Sequence, residues 1–301
     1  MSEPPIAGTY TALVTPFAAG GRSVDTEALD RLVDRQLEAG VDGLVPCGTT
    51  GETPTLSAEE QQQVIERVAR RAQGRARVLA GAGSNSTART IAAAQAAHRA
   101  GADAVMIVTP YYNKPNQEGL RQHFARVAEA VDAPIVIYNI PGRSGVDLSL
   151  ESTLWLCQRA PNIVALKDAT GNVLRCQELS ERLGERLAVM CGDDALTVAM
   201  MAAGARGVIS VTSNVVPRRV VEVVARMAAG DVTAARRAHF ELLPLHRAMF
   251  VEPNPAPCKA ALALLGLARA DLRLPLVPVA ADSRARIAEV LSSLGLEVQQ
   301  T

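Results

Sequence analysis

The sequence predicts an α/β protein, a (β/α)8 TIM barrel with a C-terminal helical appendage. Short β-rich runs alternate with amphipathic helical patterns over most of the 301 residues, and eight such runs are each followed by a helical stretch. Their continuous apolar character is typical of parallel strands that are buried on both faces. The alternative, an open doubly wound sheet, is disfavoured because no Gly-x-Gly-x-x-Gly follows an early strand.

The eight predicted strands are rich in β-branched and apolar residues and are bounded by glycine or polar residues. They span residues 10–14, 43–46, 77–82, 104–109, 134–138, 163–167, 187–191 and 207–211. A helix C-cap glycine leads directly into a strand in three places, since glycine takes the left-handed turn without steric cost. These joints lie at residues 39–44, 100–105 and 203–208, and they indicate a weak internal repeat of a βα unit.

The helices between the strands carry apolar residues at helical spacing, and one of them starts with a capping box formed by Ser57 and Glu60. The last part of the chain has a purely helical pattern that three prolines interrupt. We therefore expect two parts, a (β/α)8 catalytic barrel over residues 1–229 and a helical region over residues 230–301. For Lys259, in the helical region, a structural role and a solvent-facing position both remain open.

The composition argues against several classes of protein. The chain is 48% apolar and 21% charged, with a formal net charge of zero and no strongly basic stretch, so nucleic-acid binding has no electrostatic support. The N-terminal residues have neither a basic n-region nor an apolar h-region, and no apolar run is long enough to cross a bilayer. We expect a cytoplasmic protein without membrane contact. Five dispersed cysteines without CxxC spacing and four unclustered histidines predict reduced thiols, no metal and no other cofactor.

Lys167 is the most informative residue of the chain. Only three of the 31 lysines and arginines are lysine, and Lys167 closes the apolar run at residues 163–166. Arginine cannot lose its proton in a protein, whereas burial can bring a lysine to the neutral, nucleophilic form. A lysine at a buried strand end therefore indicates a nucleophile. The alternative is a strand-end lysine that reaches solvent.

Polar residues follow the other predicted strands, and the C-terminal strand ends are where a (β/α)8 barrel carries its chemistry. They are Thr49, Thr50, Tyr111, Tyr112, Tyr138, Arg143, Asp193 and Asp194. Taken singly, the threonines could cap a turn, Arg143 could be a surface charge and Asp194 a helix N-cap. Together with Lys167 they suit imine chemistry on a carbonyl compound that carries a carboxylate, which Arg143 would hold.

Two other kinds of site are disfavoured at the same strand ends. A phosphate-binding barrel needs a glycine-rich nest after strands 7 and 8, where Asp193 and Asp194 would instead repel the anion. A pyridoxal-phosphate enzyme, which also uses a lysine, is disfavoured for the same reason. The two aspartates could bind Mg²⁺, but the sequence offers no evident third ligand.

Five motifs carry a resemblance to a known family. They are Gly-Thr-Thr-Gly-Glu at 48–52, Tyr-Tyr-Asn-Lys-Pro at 111–115, Tyr-Asn-Ile-Pro-Gly-Arg-Ser-Gly at 138–145, Lys-Asp-Ala-Thr-Gly at 167–171 and Gly-Asp-Asp-Ala at 192–195. Glu-Pro-Asn-Pro at 252–255 and Leu-Pro-Leu at 274–276 extend the likeness into the helical tail. In combination these motifs are specific, and over nearly the whole chain they resemble the 4-hydroxy-tetrahydrodipicolinate synthase (dihydrodipicolinate synthase) family.

The resemblance implies a lyase of the class I aldolase type in diaminopimelate and lysine biosynthesis, in which Lys167 forms a Schiff base with pyruvate. The resulting enamine would attack L-aspartate-4-semialdehyde, and the adduct would cyclise. The site residues that the resemblance implies are a proton relay of Tyr138, Thr50 and Tyr112, carboxylate contacts from Thr49, Thr50 and Arg143, and backbone contacts from Gly192 and Ile209. It also implies a homotetramer, a dimer of tight dimers, in which Tyr112 reaches into the neighbouring subunit's site.

Other functions remain as alternatives. Relatives that share the barrel and the lysine include N-acetylneuraminate lyases and 2-keto-3-deoxy-sugar-acid aldolases, and a non-catalytic relative would keep only the fold. The sialate lyases tend to have Ser-Thr where this chain has Thr49 and Thr50, and they lack an arginine at the position of Arg143. Arg143 fits a small acidic aldehyde better than a long polyol. Intact Lys167, Tyr138 and Thr50 argue against a non-catalytic relative.

One departure from the family concerns regulation by lysine. Members that lysine inhibits have an effector site that resembles the surroundings of Asn85 and Tyr111, which this chain keeps. Those members typically have an acidic residue where this chain has Arg89, and a histidine where it has Gln61. Because Arg89 would repel the α-ammonium of the effector, we expect inhibition by lysine to be weak or absent.

Overall fold

Eight parallel strands close into a barrel in sequence order, which confirms the predicted (β/α)8 fold. The computed structural model describes residues 6–299. The strands are β1 (Gly8–Ala12), β2 (Gly43–Val45), β3 (Arg77–Gly81), β4 (Ala104–Val108), β5 (Ile135–Asn139), β6 (Ile163–Asp168), β7 (Ala188–Cys191) and β8 (Gly207–Ser210). All eight predicted strands are confirmed, and the largest difference is at β1, which begins two residues earlier than predicted.

Twelve α-helices lie within the described residues, most of them following a strand. They are α1 (Thr26–Ala39), α2 (Ala58–Ala72), α3 (Thr87–Arg99), α4 (Gln117–Ala130), α5 (Pro141–Ser144), α6 (Leu150–Arg159), α7 (Val173–Leu183), α8 (Thr197–Ala202), α9 (Pro217–Ala228), α10 (Val232–Ala248), α11 (Ala256–Leu264) and α12 (Ala281–Ser293). The predicted capping box starts α2, where the Ser57 hydroxyl accepts the Glu60 N–H and the Glu60 carboxylate accepts the Ser57 N–H.

Alternate residues of each strand face the barrel interior, because side chains on a strand point to opposite faces. The interior cluster is filled unevenly, with large residues such as Tyr10 and Met190 beside small ones such as Ala165 and Ala188. Gly43 leaves the room that the Tyr10 ring occupies, since a Cβ at Gly43 would lie 2.1 Å from a ring carbon. The interior below the strand ends is therefore a packed core, as in other barrels of this kind.

A register shift between β5 and β6 sets the direction of the residues at the end of β6. Ile135 pairs with Ile163, whereas the next residue, Val136, pairs with Ala165, so that Val164 is bypassed. A bulge of this kind places two successive residues opposite one and changes which face the later residues point to. Beyond it, Ala165 belongs to the interior cluster and Leu166 to the outer one.

The C-terminal helices pack against the barrel. Helix α10 lies beside α8 and α9, and α12 packs on α10 and α11. The division into a domain of residues 1–229 and one of residues 230–301 remains a prediction. The solvent-facing alternative for Lys259 is wrong, because its side chain is only 1% exposed and pairs with Glu52.

All five cysteines are free thiols and buried in the described part of the chain. Within residues 6–299, no helix is long and apolar enough to cross a membrane. Because each of these cysteines is buried, packing explains their dispersed spacing.

We expect replacement of His123 by glutamine to reduce the loss of stability on acidification. Burial lowers the pKa of His123 to about 4, from an ordinary value of 6.5, so the unfolded chain takes up the proton first. Above pH 6.5 the neutral ring makes its full contribution to the free energy of unfolding. As the pH falls towards 4, this contribution is lost, by ~3 kcal/mol at most. Urea unfolding of H123Q and of the unmodified chain across this range measures the difference.

The matched control is H98Q, because His98 is an exposed histidine on the neighbouring helix α3. The free energy of unfolding of H98Q should fall with pH as it does in the unmodified chain. Equal pH dependence in H123Q and H98Q would contradict the role given to His123.

Candidate active site

Lys167 and Tyr138 lie side by side at the C-terminal end of the barrel. They are paired residues of β6 and β5, and Tyr138 belongs to the interior cluster. The Lys167 side chain is 5% exposed, and its Nζ lies 4.1 Å from the centroid of the Tyr138 ring. Among residues 6–299 the ammonium has no hydrogen-bond or ion-pair partner. The arrangement leaves a buried amine free of carboxylate contacts beneath a phenol.

A cavity of about 650 Å³ lies at the mouth of the barrel. Tyr138 lines it, and Lys167 lies against the Tyr138 ring, outside the lining. Met106 and Tyr138, both interior residues, line its lower part, and Thr49 and Arg143 line its walls. The strand-end residues that the sequence singles out and that line this space are Thr49, Tyr111, Tyr138 and Arg143. Its volume suits small-molecule substrates.

The threonine loop, residues 48–52, follows β2 and carries two hydroxyls in different surroundings. Thr49 is half-buried and lines the cavity. Thr50 is 2% exposed, and its hydroxyl oxygen accepts a 2.9 Å hydrogen bond from Nδ2 of Asn254. Of the two predicted threonines, the structure brings Thr49 to the cavity surface and places Thr50 behind it.

Arg143 lies on α5, the single helical turn after β5. The helix is anchored by Ser144, whose hydroxyl oxygen accepts from Thr109 Oγ1 at 3.1 Å. The Arg143 side chain is exposed at the cavity wall, and its Nη2 donates to the backbone carbonyl of Asn254 at 3.4 Å. Its guanidinium has no carboxylate partner among the described residues, so it is available to a substrate carboxylate.

Tyr112 does not join the cavity of its own chain. Its side chain is 86% exposed and its backbone is left-handed, with φ of 73°. The neighbouring Tyr111 is 37% exposed and does line the cavity. The structure therefore leaves Tyr112 apart from Lys167 within one chain.

Gly192 directly follows β7, the strand next to β6, and Ile209 lies on β8, the strand after it. The Gly192 N–H donates to the Asp168 carbonyl at 2.7 Å, and a Cβ at this position would lie 2.8 Å from Cβ of Ala169. Only glycine allows β7 to end this close to the strand of Lys167. Ile209 is 1% exposed within the interior cluster, beneath the mouth.

The aspartates after β7 have structural roles. Asp194 is 2% exposed, and its carboxylate accepts the Ser210 hydroxyl and the N–H groups of Val211 and Thr212. It is Asp193 that caps the following turn, so the N-cap alternative for Asp194 is wrong by one residue. Burial raises the pKa of Asp193. No group of three or more His, Cys, Asp or Glu in residues 6–299 could hold a metal ion.

Cys47 is a second potential nucleophile, and it lies on the cavity lining. Its side chain is 2% exposed, and burial raises the pKa of its thiol to about 12. Since the thiolate is the nucleophilic form, this cysteine is inert near neutral pH. Lys167 is therefore the better candidate.

Two site residues were missed in the sequence. Asn254 lines the cavity and contacts both Thr50 and Arg143, and Glu52 is buried in the threonine loop. The sequence does contain a signal for Asn254, a polar residue between two prolines in a motif that carries the family likeness. Its partners lie more than 100 residues away, so their identity could not be inferred.

The cavity also reaches α2 and α3. Gln61, Arg89 and Tyr111 line it. Gln61 Nε2 donates to the carbonyls of Thr53 and Leu56, both at 3.3 Å, which holds it against the turn before α2. Arg89 is exposed and, among the described residues, has no carboxylate partner.

Comparisons with known proteins agree with this geometry. The dihydrodipicolinate synthetase family model matches residues 5–294. A protein of Sorangium cellulosum named 4-hydroxy-tetrahydrodipicolinate synthase is 61% identical over 294 residues, which is 98% of each chain.

Solved structures of similar proteins have nearly the same fold as this chain. The chloride-inhibited dihydrodipicolinate synthase of Acinetobacter baumannii, complexed with pyruvate, has a TM-score of 0.94 and 44% identity, covering 97% of this chain and 99% of that one. A dihydrodipicolinate synthase described as a monomeric variant has a TM-score of 0.93 and 41% identity, covering 96% and 97%.

Proposed function

The chain belongs to the dihydrodipicolinate synthetase family, and on this basis we propose that it is a lyase of the class I aldolase type that catalyses the 4-hydroxy-tetrahydrodipicolinate synthase reaction of lysine biosynthesis. Its substrates in this proposal are pyruvate and L-aspartate-4-semialdehyde. The family membership supports this reaction and not the sugar-acid or sialate alternatives. The observation that carries the proposal is the unpaired Lys167 amine against the ring of Tyr138, a residue that lines the cavity.

The reaction begins on Lys167. Its neutral Nζ attacks the keto carbon of pyruvate, and water leaves to form the Schiff base. Loss of a methyl proton gives the enamine, which forms a carbon–carbon bond to the aldehyde of the second substrate. The amine of that substrate then displaces Nζ during cyclisation, so Lys167 is regenerated. Tyr138, whose ring centroid lies 4.1 Å from Nζ, gives and takes the protons of these steps in this proposal.

The two substrate carboxylates have separate partners in this proposal. The Thr49 hydroxyl, on the cavity wall, contacts the pyruvate carboxylate, and Thr50 lies behind Thr49. Arg143 offers its planar fork to the carboxylate of the semialdehyde. The backbones of Gly192 and Ile209 complete the surroundings of Lys167.

The proton relay and the assembly are proposed together. Tyr138, Thr50 and Tyr112 form the relay, with Tyr112 supplied by a neighbouring subunit in a homotetramer built from tight dimers. Its 86% exposure supports this, because the phenol is accessible to a neighbouring subunit. Sedimentation that found only monomers would remove this part of the proposal. Five unpaired cysteines support a cytoplasmic location.

Borohydride reduction in the presence of pyruvate should modify Lys167 and no other lysine. The reason is that Lys114 is exposed outside the cavity and Lys259 is bound in an ion pair. Peptide mass mapping locates the adduct, and K167R should be unmodified with turnover below about a thousandth of the original. An adduct on another residue, or none at all, would refute the Schiff-base mechanism.

The two threonines should differ in their effect on catalysis. Because Thr49 lines the cavity, T49V should mainly raise KM for pyruvate, whereas T50V should lower kcat by roughly 10²-fold, because Thr50 belongs to the proposed proton relay. Initial rates with both substrates measure the difference, and thermal unfolding checks that each variant is folded. An unchanged kcat in T50V would remove Thr50 from the proposed relay.

L-Lysine should inhibit the enzyme weakly or not at all. Arg89 on the cavity lining would repel the α-ammonium of lysine, where an acidic residue would attract it. Initial rates over increasing lysine concentration test this, with R89E as the matched variant that should gain sensitivity. Strong inhibition of the unmodified enzyme at low lysine concentration would show that the expectation is wrong.

A further inference from the structure

Glu52, at the end of the threonine loop, is held in an unfavourable state. Its carboxylate is fully buried, and its backbone has the left-handed conformation, with φ of 55°. A buried carboxylate and a left-handed non-glycine residue both cost free energy and persist only where the surroundings impose them. The partners of Glu52 therefore determine the shape of the loop that carries Thr49 and Thr50.

Those partners come from the C-terminal helical region. The Lys259 ammonium, on α11, forms an ion pair with the Glu52 carboxylate, and the Arg273 N–H donates to the same carboxylate at 3.1 Å. Lys259 also donates to the Asp271 carbonyl at 2.9 Å and lies 4.0 Å from the centroid of the Phe17 ring. The ammonium is thus satisfied on several sides, although burial lowers the pKa of Lys259 against the effect of Glu52.

Arg273 extends the same contacts to the start of α2. Its guanidinium binds the Glu60 carboxylate through two 2.6 Å hydrogen bonds and donates to the Thr55 carbonyl at 2.8 Å. It also lies 4.5 Å from the centroid of the Phe17 ring, the ring that Lys259 contacts. Both ends of the segment from the threonine loop to α2 are therefore held by the C-terminal region.

The same region reaches the threonine loop at a second point. Asn254 precedes α11 and donates to the Thr50 hydroxyl oxygen at 2.9 Å, while its carbonyl accepts from Arg143. Asn254 and Lys259 are five residues apart, and their partners Thr50 and Glu52 are two residues apart. Two polar contacts thus join two short segments that are some 200 residues apart in the chain.

We propose that the Lys259–Glu52 ion pair and the Asn254–Thr50 hydrogen bond form a clamp that positions the threonine loop for binding pyruvate. Lys259 does not line the cavity, so it acts through Glu52 and is a positioning residue. This inference rests on the proposed function, because it assigns the clamp to the carboxylate-binding side of that reaction.

The variants K259M and E52Q, with the double variant E52Q/K259M, test the clamp. Each single variant leaves one buried charge without its partner and should loosen the loop, so KM for pyruvate should rise roughly tenfold or more. The double variant should recover part of this loss, because no uncompensated charge remains. Lys167 should still be trapped by borohydride at saturating pyruvate in every variant.

The matched control is R226M, which removes an exposed ion pair with Glu222 and should keep the original KM. Thermal unfolding is measured for all variants. If K259M lowers the melting temperature but leaves KM and kcat of the folded enzyme unchanged, the pair is only structural and the proposal is wrong.

If K259M does not fold, N254A decides, since it should raise KM for pyruvate while Lys259 and Glu52 remain paired. An unchanged KM in N254A would equally overturn the clamp.

Failure of the clamp is distinguishable from failure of the proposed function. If the unmodified enzyme is not trapped at Lys167 by pyruvate and borohydride, the proposed function fails. If it is trapped and the variants bind pyruvate as well as it does, only the clamp fails.

Discussion

The pairing of β5 with β6 is the constraint on which the active site depends. In a closed parallel barrel, each residue is held between two neighbouring strands, and its side chain faces either the interior or the helices. The register shift that bypasses Val164 brings Tyr138 opposite Lys167 and leaves the amine over the phenol ring. Neither residue could be moved to the other face without re-pairing the whole strand.

The rest of the mouth is built around this pair by segments from distant parts of the chain. The threonine loop comes from the start of the barrel and the Asn254 segment from the helical region that follows it. The buried charges of Glu52 and Lys259 join these segments, and a buried ion pair holds only where its remaining polar atoms are also satisfied. The C-terminal region expected to be an appendage therefore contributes directly to the site.

Much of the fold and part of the site could be predicted from local patterns. The strands and the nucleophile were predictable because alternating apolar and helical runs report secondary structure, and because Lys167 follows an apolar run in a chain poor in lysine. The different exposure of Thr49 and Thr50 was not predictable, since adjacent hydroxyls have the same local sequence signal. The direction of Lys167 was also open, because a strand buried on both faces has no polar alternation to reveal it.

By itself, the sequence determined the (β/α)8 architecture, the family and the residue types available at the strand ends. Only the tertiary structure decided that Lys259 is buried against Glu52, that Asn254 contacts Thr50, and that Tyr112 lies outside the cavity of its own chain. The physical reason is one of range. Periodicity and turn chemistry act over a few residues, whereas these contacts join segments that meet only when the barrel closes and the C-terminal helices pack against it.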